Sequence, residues 1–373
     1  MSIKYVYSEN LIAESNKNPA VQNRASMVHS LIKSYGLLSH MDILIPKICK
    51  LSDLRNFHSE DYLKFLKKCS DAHGDESELD NSESEDFGLG YDCPTWGGII
   101  NYATTIAGAT ITACDELCRG SADIVINWNG GWHHAHRDKA GGYCYVNDIV
   151  LGILELRTKF DRIIYIDLDV HHGDGVEEAF ETTKRVFTLS FHQCEPGFFP
   201  GTGKSENCGL ATGKGYAANF PYKSGISGAR FFNYFKKTIS LIMDTYKPQV
   251  CVIQCGGDAL AGDPLGNSNL YPKDLIECIK FVMEFKLPLV LLGGGGYNFV
   301  NTSRYWTEIT AAVCNKELDD DIPDENEFFL DYGPDYTIQI QKSRREDLNS
   351  DEYMEECVKS IQENIKKYNV MSV

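Results

Sequence analysis

The chain has 373 residues, of which 43% are hydrophobic, so it can bury a large core in one big α/β domain or two smaller ones. Its formal net charge of −17 argues against broad binding to nucleic-acid phosphates, whereas an acidic surface attracts a basic partner such as a lysine-rich peptide or simply aids solubility. Its 13 cysteines form no CxxC pair, which indicates reduced thiols in an intracellular protein, and it lacks a signal-peptide core or a bilayer-spanning apolar stretch.

The first third of the chain predicts two short strands, a series of helices and one acidic loop. Residues 71–86 are acidic and rich in Ser and Asn, so we expect an exposed loop there. Residues 23–36 have apolar side chains at helical spacing, with Gly36 placed to cap the helix. The other predicted elements are strands at residues 3–7 and 43–45 and helices at residues 52–69, as one or two, and 97–117.

Strands and helices alternate from residue 124 onward. This alternation predicts an α/β fold with a mainly parallel sheet and helices on both faces. The sequence contains no repeat and no clear linker, so we expect a single domain over residues 1–373, with residues 71–86 as a surface loop. The predicted strands cover residues 124–128, 163–166, 186–189, 250–253 and 289–292, and the predicted helices cover 146–160, 175–182, 229–246, 272–285, 301–313 and 352–368.

Polar or glycine-rich sequences follow these strands. Open α/β folds place their binding sites just beyond the carboxyl ends of the strands. We therefore expect side chains from distant parts of the chain to meet at that edge of the sheet. The side chains concerned are His133, His134, Asp169, His171, Asp258 and Tyr297.

The strand predicted at residues 163–166 leads directly into carboxylates and imidazoles. Asp167, Asp169 and His171 are spaced two residues apart, so in extended chain they point to the same side. Oxygen and nitrogen donors directed at one point suit a first-row divalent ion, and zinc is the leading candidate. The alternative interpretation is a strand end held by salt bridges.

Asp258 is the natural third ligand. The preceding Gly256 and Gly257 let the backbone approach closely, and an aspartate just after a buried strand needs a partner. Two carboxylates and one imidazole would leave open positions for water and substrate. Asp258 as a helix N-cap is the alternative.

His133 and His134 are adjacent, so their side chains diverge in extended chain. Each can pair with one of the remaining carboxylates, Asp167 and Asp174. An aspartate that accepts from one ring nitrogen fixes the histidine tautomer and supports its cationic form. Two such pairs beside a metal predict a general base and a general acid for hydrolysis. The alternative is that one of the histidines is structural.

Tyr297 follows four glycines. A phosphate cradle is not indicated, because Asn298 stands where the third glycine of GxGxxG would lie. We expect the Tyr297 hydroxyl to face the metal and donate to a developing oxyanion, with simple packing as the alternative. Loop aromatics at Trp132, Tyr143, Phe198 and Phe199 predict a narrow apolar channel for a linear alkyl chain, or core packing.

Five sequence motifs, in order, resemble a zinc-dependent class I histone deacetylase. They are Asn-Gly-Gly-Trp-His-His-Ala at 129–135, Tyr-Ile-Asp-Leu-Asp-Val-His-His-Gly-Asp-Gly at 165–175, Phe-Phe-Pro-Gly-Thr-Gly at 198–203, Gly-Asp-Pro at 262–264 and Leu-Gly-Gly-Gly-Gly-Tyr-Asn at 292–298. The resemblance covers nearly the whole chain. The segments at 24–32 and 88–94 are most similar to the isozyme-eight branch.

The resemblance implies an arginase-like open three-layer fold with a central eight-stranded, mainly parallel sheet. It implies that Asp169, His171 and Asp258 bind zinc, with Fe²⁺ or Co²⁺ as alternative metals. His133 and His134 would be the acid/base pair, supported by Asp167 and Asp174, and Tyr297 would stabilise the tetrahedral oxyanion. Gly142, Tyr143, Phe199 and Trp132 would border an acyl-lysine tunnel, Asp92 would hold the substrate backbone, and Arg24 would lie near an inner cavity through which acetate leaves.

The resemblance also implies two sites for K⁺ or Na⁺. One would be formed by Asp167, Asp169, His171, Ser190 and Phe191, and the other by Phe180, Thr183, Val186 and Tyr216. Two positions of the substrate channel depart from the family pattern: Tyr143 replaces the usual Phe, and Leu265 replaces the Met of the isozyme-eight branch. These departures leave the acyl-chain preference open.

Our hypothesis is therefore a lysine deacetylase that acts on acetylated peptides, including histone tails. We expect neither direct nucleic-acid binding nor membrane association, no requirement for a corepressor complex, and a nuclear and cytoplasmic location. One alternative is an arginase-like amidohydrolase that acts on acetylpolyamines or guanidines. The other is a scaffold that binds acyl-lysine without hydrolysing it.

Overall fold

A computed structural model describes residues 1–72 and 81–370, and within them eight strands form one parallel sheet. The strands are β1 (Ile3–Val6), β2 (Asp42–Leu44), β3 (Ile124–Asn127), β4 (Ile163–Asp167), β5 (Val186–Gln193), β6 (Ala217–Tyr222), β7 (Val250–Gln254) and β8 (Leu289–Leu292). Their order across the sheet is β2-β1-β3-β8-β7-β4-β5-β6.

Twelve α-helices accompany the sheet in the described ranges. They are α1 (Glu9–Ser15), α2 (Arg24–Ser34), α3 (Leu51–Leu54), α4 (Glu60–Asp71), α5 (Asn81–Asp86), α6 (Ile99–Cys118), α7 (Asp148–Leu156), α8 (Asp174–Phe180), α9 (Gly228–Tyr246), α10 (Pro272–Met283), α11 (Phe299–Val313) and α12 (Asp351–Lys367). None of these described helices is both long and apolar enough to cross a membrane.

The sheet is buried on both faces, as its apolar strands require. In β4, Ile164 and Ile166 belong to one hydrophobic cluster and Ile163 and Tyr165 to the other, because successive side chains of a strand point to opposite faces. Helices α2 and α9–α12 contribute to the first cluster, and α4, α6 and α7 to the second. This three-layer architecture confirms the predicted α/β fold.

The seven strands predicted from the sequence are all present, but an eighth, β6, was not predicted. Its sequence contains Asn219 and Pro221, and proline is typical of a turn or of an edge strand. The structure places β6 at the edge of the sheet, beside β5. A proline is tolerated there because a strand at the edge of the sheet has only one neighbouring strand.

The prediction of a loop over the acidic residues 71–86 was partly wrong. Residues 73–80 lie outside the described residues, but Asn81–Asp86 forms the short helix α5. The turn that ends α5 is fixed by backbone bonds, with the Leu89 N–H donating to the Ser84 carbonyl at 2.8 Å. The ring of Phe87 packs 5.1 Å from that of Phe65 on α4. An apolar anchor after the acidic residues therefore allows a helix where composition alone favours a loop.

The strand order brings the carboxyl ends of β3, β8, β7, β4 and β5 into one row. Neighbouring residues across this row are Asn127, Leu292, Gln254, Asp167 and Ser190. The loops that follow these strands therefore begin at the same level of the sheet. This register gathers the polar residues that the sequence places far apart.

Candidate active site

The loop after β3 carries His133 and His134 and is held by buried polar side chains from the start of α7. The Asp148 carboxylate accepts the N–H groups of Gly131 and Trp132 at 3.0 and 2.9 Å. The Asn147 amide donates to the His133 carbonyl at 3.2 Å. These bonds fix the backbone from which both imidazoles project.

Each of the two histidines pairs with the predicted carboxylate. Nδ1 of His133 lies 2.7 Å from Asp167, and Nδ1 of His134 lies 2.7 Å from Asp174. The two imidazole rings are 4.0 Å apart, and both are buried. Because Nδ1 faces a carboxylate in both residues, Nε2 is the nitrogen available for substrate or water.

The environments of these two imidazoles differ in charge. Burial disfavours the His133 cation, but the nearby Asp167 and Asp169 outweigh burial and raise the pKa of His133 to about 9. Burial and the positive charge of His133 lower the pKa of His134 to about 4. A protonated and a neutral imidazole side by side is an arrangement suited to acid–base catalysis.

Asp174 has a second histidine partner. Its other oxygen lies 3.6 Å from Nε2 of His136, and Nδ1 of His136 lies 2.5 Å from Glu178 on α8. Burial disfavours the carboxylate, but His134 and His136 together hold the pKa of Asp174 far below its usual range. Asp174 therefore remains an anion behind His134.

Asp169, His171 and Asp258 meet in one buried cluster. Nδ1 of His171 lies 3.1 Å from Asp169 Oδ1 and 3.2 Å from Asp258 Oδ2. One ligand atom from each residue lies within 4.8 Å of the others, and all three side chains are buried. In the described part of the chain this is the one group of at least three acidic, His or Cys side chains with such spacing.

This cluster fits a divalent metal ion. Asp169 Oδ2 accepts from Gln254 at 2.7 Å and from the Gly295 N–H at 3.0 Å, and Asp258 Oδ1 accepts from the Val170 N–H at 3.0 Å. The remaining oxygens, Asp169 Oδ1 and Asp258 Oδ2, face the same His171 nitrogen. Two carboxylates and an imidazole supply negative charge and a mixed O/N donor set, which suit a divalent ion such as zinc.

Glycine is required beside the ligands. A Cβ on Gly295 would lie 2.0 Å from Asp258 Oδ2, and one on Gly256 would lie 2.3 Å from Asp169 Oδ2. Any larger residue would displace the carboxylates. Of the two glycines predicted to allow close backbone approach, Gly256 performs that role at the ligand cluster, whereas a Cβ on Gly257 would lie 2.7 Å from Thr302.

Tyr297 lies at the end of this glycine loop and close to the same charges. Burial, followed by the negative charges of Asp258 and Asp169, raises the pKa of the Tyr297 hydroxyl well above its ordinary value. The hydroxyl therefore remains protonated and can donate a hydrogen bond. The buried Arg24 guanidinium supports the loop by donating to the carbonyls of Gly294 and Gly296, both at 2.9 Å.

Aromatic side chains surround the cluster, as a narrow channel requires. The Phe199 ring lies 4.9 Å from that of His134, and the Phe198 ring stacks 5.3 Å from that of His171. The Tyr143 ring packs edge-on to Tyr297 at 5.4 Å. Phe199 is also 46% exposed, so it spans the distance from the buried cluster to the surface.

The segment Gly142–Tyr143 forms part of this wall in an unusual conformation. Both residues have positive φ, 51° and 65°. A Cβ on Gly142 would lie 2.4 Å from the His134 ring, so only glycine fits against that imidazole. The Asp92 carboxylate accepts the Gly142 N–H at 2.7 Å. Asp92 therefore holds the backbone of this segment, and its role in binding the substrate at the rim stays a prediction.

Two further predicted residues differ strongly in exposure. Trp132 is 5% exposed and lines an inner cavity together with Arg24, Trp128 and Trp306. Leu265 is 37% exposed, and its N–H is bound by the Asp263 carboxylate at 2.9 Å. The structure thus places Trp132 at the inner cavity and Leu265 partly on the surface of the protein.

The residues predicted to bind monovalent cations fall into two places in the structure. Ser190 and Phe191 lie in β5 directly beside Asp167 of β4. The second group lies around the turn between α8 and β5 and near the start of β6. Phe180 ends α8, and its carbonyl accepts the Thr183 N–H at 3.0 Å. Val186 begins β5, and Tyr216 immediately precedes β6.

Several buried residues that support the site were not predicted from the sequence. Each is polar and forms a hydrogen bond to a site residue or to the backbone beside it. Gln254 donates to Asp169, for example, and the Tyr165 hydroxyl donates to Asp167, both at 2.7 Å. A signal was available only for Gln254, a polar side chain at the end of the apolar strand β7. The set comprises Asn147, Asp148, Tyr165, Gln254 and Asp263.

The comparisons with known proteins agree with this geometry. Residues 18–313 match the family model of the histone deacetylase domain. The chain is 45% identical to Histone deacetylase 8 of Danio rerio over 98% of this chain and 95% of the relative, and 45% identical to Histone deacetylase 8 of Xenopus tropicalis over 94% of each. It is also 45% identical to Histone deacetylase 6 of Arabidopsis thaliana, over 91% of this chain and 71% of the relative.

A domain match over most of the chain, and relatives this similar over nearly their whole length, confirm the resemblance drawn from the five motifs. The same motifs supply the paired histidines, the buried Asp–His–Asp cluster and the tyrosine beside it. The chain belongs to the histone deacetylase family and is similar to its class I, isozyme-eight members.

Proposed function

We propose that this protein is a metal-dependent lysine deacetylase that hydrolyses N6-acetyl-lysine in histones and other proteins. Water adds across the amide, and the products are acetate and the free lysine side chain. The observation that carries the proposal is the convergence of Asp169, His171 and Asp258 within 4.8 Å, beside the His133 and His134 pairs. Membership in the histone deacetylase family supports the same reaction.

The family implies a metal cofactor, and the Asp–His–Asp cluster is the group of residues that would hold it. We assign zinc to this cluster, with Fe²⁺ or Co²⁺ as alternatives for the same mixed donor set. Such an ion polarises the scissile carbonyl and lowers the pKa of the attacking water. We further assign K⁺ or Na⁺ to the two groups of residues around Ser190 and around Thr183.

The protein residues then divide the proton transfers between them. Nε2 of the neutral His134 accepts a proton from the attacking water, and Asp174 stabilises the imidazolium that forms. The protonated His133, paired with Asp167, donates to the leaving lysine nitrogen. The Tyr297 hydroxyl donates to the oxyanion of the tetrahedral intermediate, where negative charge develops.

The substrate would enter as an extended acyl-lysine side chain. Its methylene groups would pass between Phe199 and the Gly142–Tyr143 segment, whose rings and backbone already contact His134 and Tyr297. The Asp92 oxygen not used by Gly142 would accept a substrate backbone N–H. The net charge of −17 favours basic partners such as histone tails.

The proposed partners are therefore acetylated peptides rather than nucleic acids or membranes. The reaction needs no corepressor complex, because one chain supplies the acid, the base, the metal ligands and the oxyanion donor. We propose a location in both the nucleus and the cytoplasm. An arginase-like paired-metal site is disfavoured because, among the described residues, Asp169, His171 and Asp258 form the one group with divalent-metal spacing. A scaffold without activity is disfavoured because the acid, base and oxyanion donor are all present.

Acetate release from purified protein tests the proposal directly. The apoprotein is loaded separately with Zn²⁺, Fe²⁺ and Co²⁺, and each form is assayed with peptides that carry acetyl-lysine or longer acyl-lysines and with acetylspermidine. We expect acetyl-lysine peptides to be the best substrates. Preference for acetylspermidine would instead support the polyamine amidohydrolase, and peptide binding without acetate release would support the scaffold.

Tyr143→Phe tests the departure in the channel wall. Filling the channel removes water from the Tyr143 hydroxyl, which costs free energy because the lysine methylene groups beside it cannot replace the lost hydrogen bond. We expect the phenylalanine variant to raise kcat/KM by about threefold to tenfold, and to a similar extent for every acyl chain, because all substrates present the same lysine methylene groups. The measurement is kcat/KM of both proteins across an acyl-chain series. An unchanged kcat/KM would show that the hydroxyl does not face the channel, and a gain confined to long chains would show that the acyl group itself reaches Tyr143.

A further inference from the structure

Asp263 is a buried carboxylate that no step of the proposed reaction uses. It lies in the turn after the Asp258 loop and is 4% exposed. One of its oxygens accepts the Leu265 N–H at 2.9 Å. The other accepts the N–H groups of Tyr297 and Asn298 at 2.7 and 3.0 Å. Both oxygens of this carboxylate therefore bind backbone N–H groups, and two of those groups belong to the loop that carries Tyr297.

The loop that Asp263 binds has little conformational preference of its own. Gly294 and Gly296 have φ values of 138° and 126°, a region in which side chains other than glycine are strained. Four consecutive glycines lose much backbone entropy when they become ordered. The position of Tyr297 must therefore be set by bonds from outside the loop.

Those bonds hold successive peptide groups of the loop, and the peptide between Gly296 and Tyr297 is held on both sides. Arg24 donates to the carbonyls of Gly294 and Gly296, whereas Asp263 accepts the N–H groups that follow immediately, at Tyr297 and at Asn298, the N-cap of α11. A charged acceptor forms stronger bonds to N–H groups than a neutral one. Asp263 is thus the side chain bonded directly to the Tyr297 backbone.

We propose that Asp263 is a positioning residue that acts through Tyr297, holding its backbone so that the hydroxyl meets the oxyanion. The proposal rests on the proposed catalytic role of Tyr297. Because Asp263 also binds Leu265, it connects the position of Tyr297 with the exposed part of the same turn. A shift of about 1 Å in a catalytic group costs up to about 10²-fold in rate, so a partial loss of position should have a measurable effect.

A double-mutant cycle tests this role. Asp263→Ala removes both acceptor oxygens, and Asp263→Asn retains one. We expect Asp263→Ala to lower kcat about tenfold with little change in KM, and Asp263→Asn to have an intermediate effect. In the Tyr297→Phe background the same substitutions should change kcat less than about twofold, because the hydroxyl they position is already absent.

Asp274→Ala is the matched control. Asp274 is also largely buried, and it accepts the Tyr271 N–H at 2.9 Å at the start of α10. Its loss should destabilise the fold without a kcat effect that depends on Tyr297. Bound metal and the thermal midpoint are measured for every variant, and Asp263→Asn carries the test if Asp263→Ala does not fold.

The outcomes distinguish a failure of the role proposed for Asp263 from a failure of the role proposed for Tyr297. An equal loss of kcat in both backgrounds, a loss confined to KM, or a loss that follows the bound metal would overturn the role assigned to Asp263. If Tyr297→Phe is itself fully active, the catalytic role of Tyr297 fails instead. Only a kcat loss that disappears in the Tyr297→Phe background supports positioning by Asp263.

Discussion

Replacing Tyr297 with phenylalanine should lower kcat by about 10²-fold or more while leaving the protein folded and metal-loaded. The hydroxyl donates where negative charge develops, so its contribution exists mainly in the transition state. Burial and the charges of Asp258 and Asp169 keep the hydroxyl protonated, since they raise its pKa well above the ordinary value. The loss should therefore appear in kcat rather than in KM.

The comparison is with Tyr246→Phe, which removes a buried tyrosine hydroxyl far from the site. Tyr246 ends α9 and donates to the Lys184 carbonyl at 3.2 Å, near the amino ends of β4 and β5. Steady-state kinetics on an acetyl-lysine peptide, metal analysis and thermal unfolding are measured for both variants. Full activity of Tyr297→Phe would remove the tyrosine from the mechanism, whereas a large loss in Tyr246→Phe would indicate a general effect on the fold.

Asp258→Asn should abolish stable metal binding and lower activity by about 10³-fold or more. The substitution removes one of the two negative charges and replaces a carboxylate ligand with a neutral amide oxygen, which is a much weaker donor to a divalent ion. Chelation of the unmodified protein should produce the same inactive state. Adding Zn²⁺, Fe²⁺ or Co²⁺ should restore activity to the chelated protein but not to the variant.

Asp244→Asn is the matched control for Asp258→Asn, because Asp244 is an exposed aspartate on α9, away from the cluster. Metal stoichiometry, measured together with activity, identifies the cause of any loss. Activity that is indifferent to chelators would remove the metal from the mechanism. An Asp258→Asn protein that binds the metal normally would show that Asp258 is not a ligand.

Local sequence patterns predicted most of the secondary structure. The apolar runs that form β3, β4, β7 and β8 are short, rich in Ile, Val and Leu, and followed by polar residues, so their boundaries were recognisable to within a residue or two. The errors occurred where tertiary contacts override composition. β6 is stabilised by pairing with β5 despite Pro221, and α5 is followed by Phe87, which packs on α4.

The candidate ligands and the proposed catalytic residues were easier to predict from the sequence than the residues that support them. Asp169, His171 and Asp258 are polar groups at strand ends, an arrangement that is costly unless they bind something. Gln254 and Asp263 bind a carboxylate and backbone N–H groups that become neighbours only after folding. Nothing in the local sequence of either residue distinguishes such a role from an ordinary turn or strand end.

The sequence by itself determined the fold class, the family and the residue types available for metal binding and acid–base chemistry, because all of these depend on local patterns. Only the tertiary structure decided which strands are neighbours. β4 pairs with β7, whose first residue Val250 lies beside Ile163. This pairing sets Asp167 beside Gln254 and brings Asp169 and Asp258 to one nitrogen of His171. Strand order depends on packing between distant segments, which local periodicity does not encode.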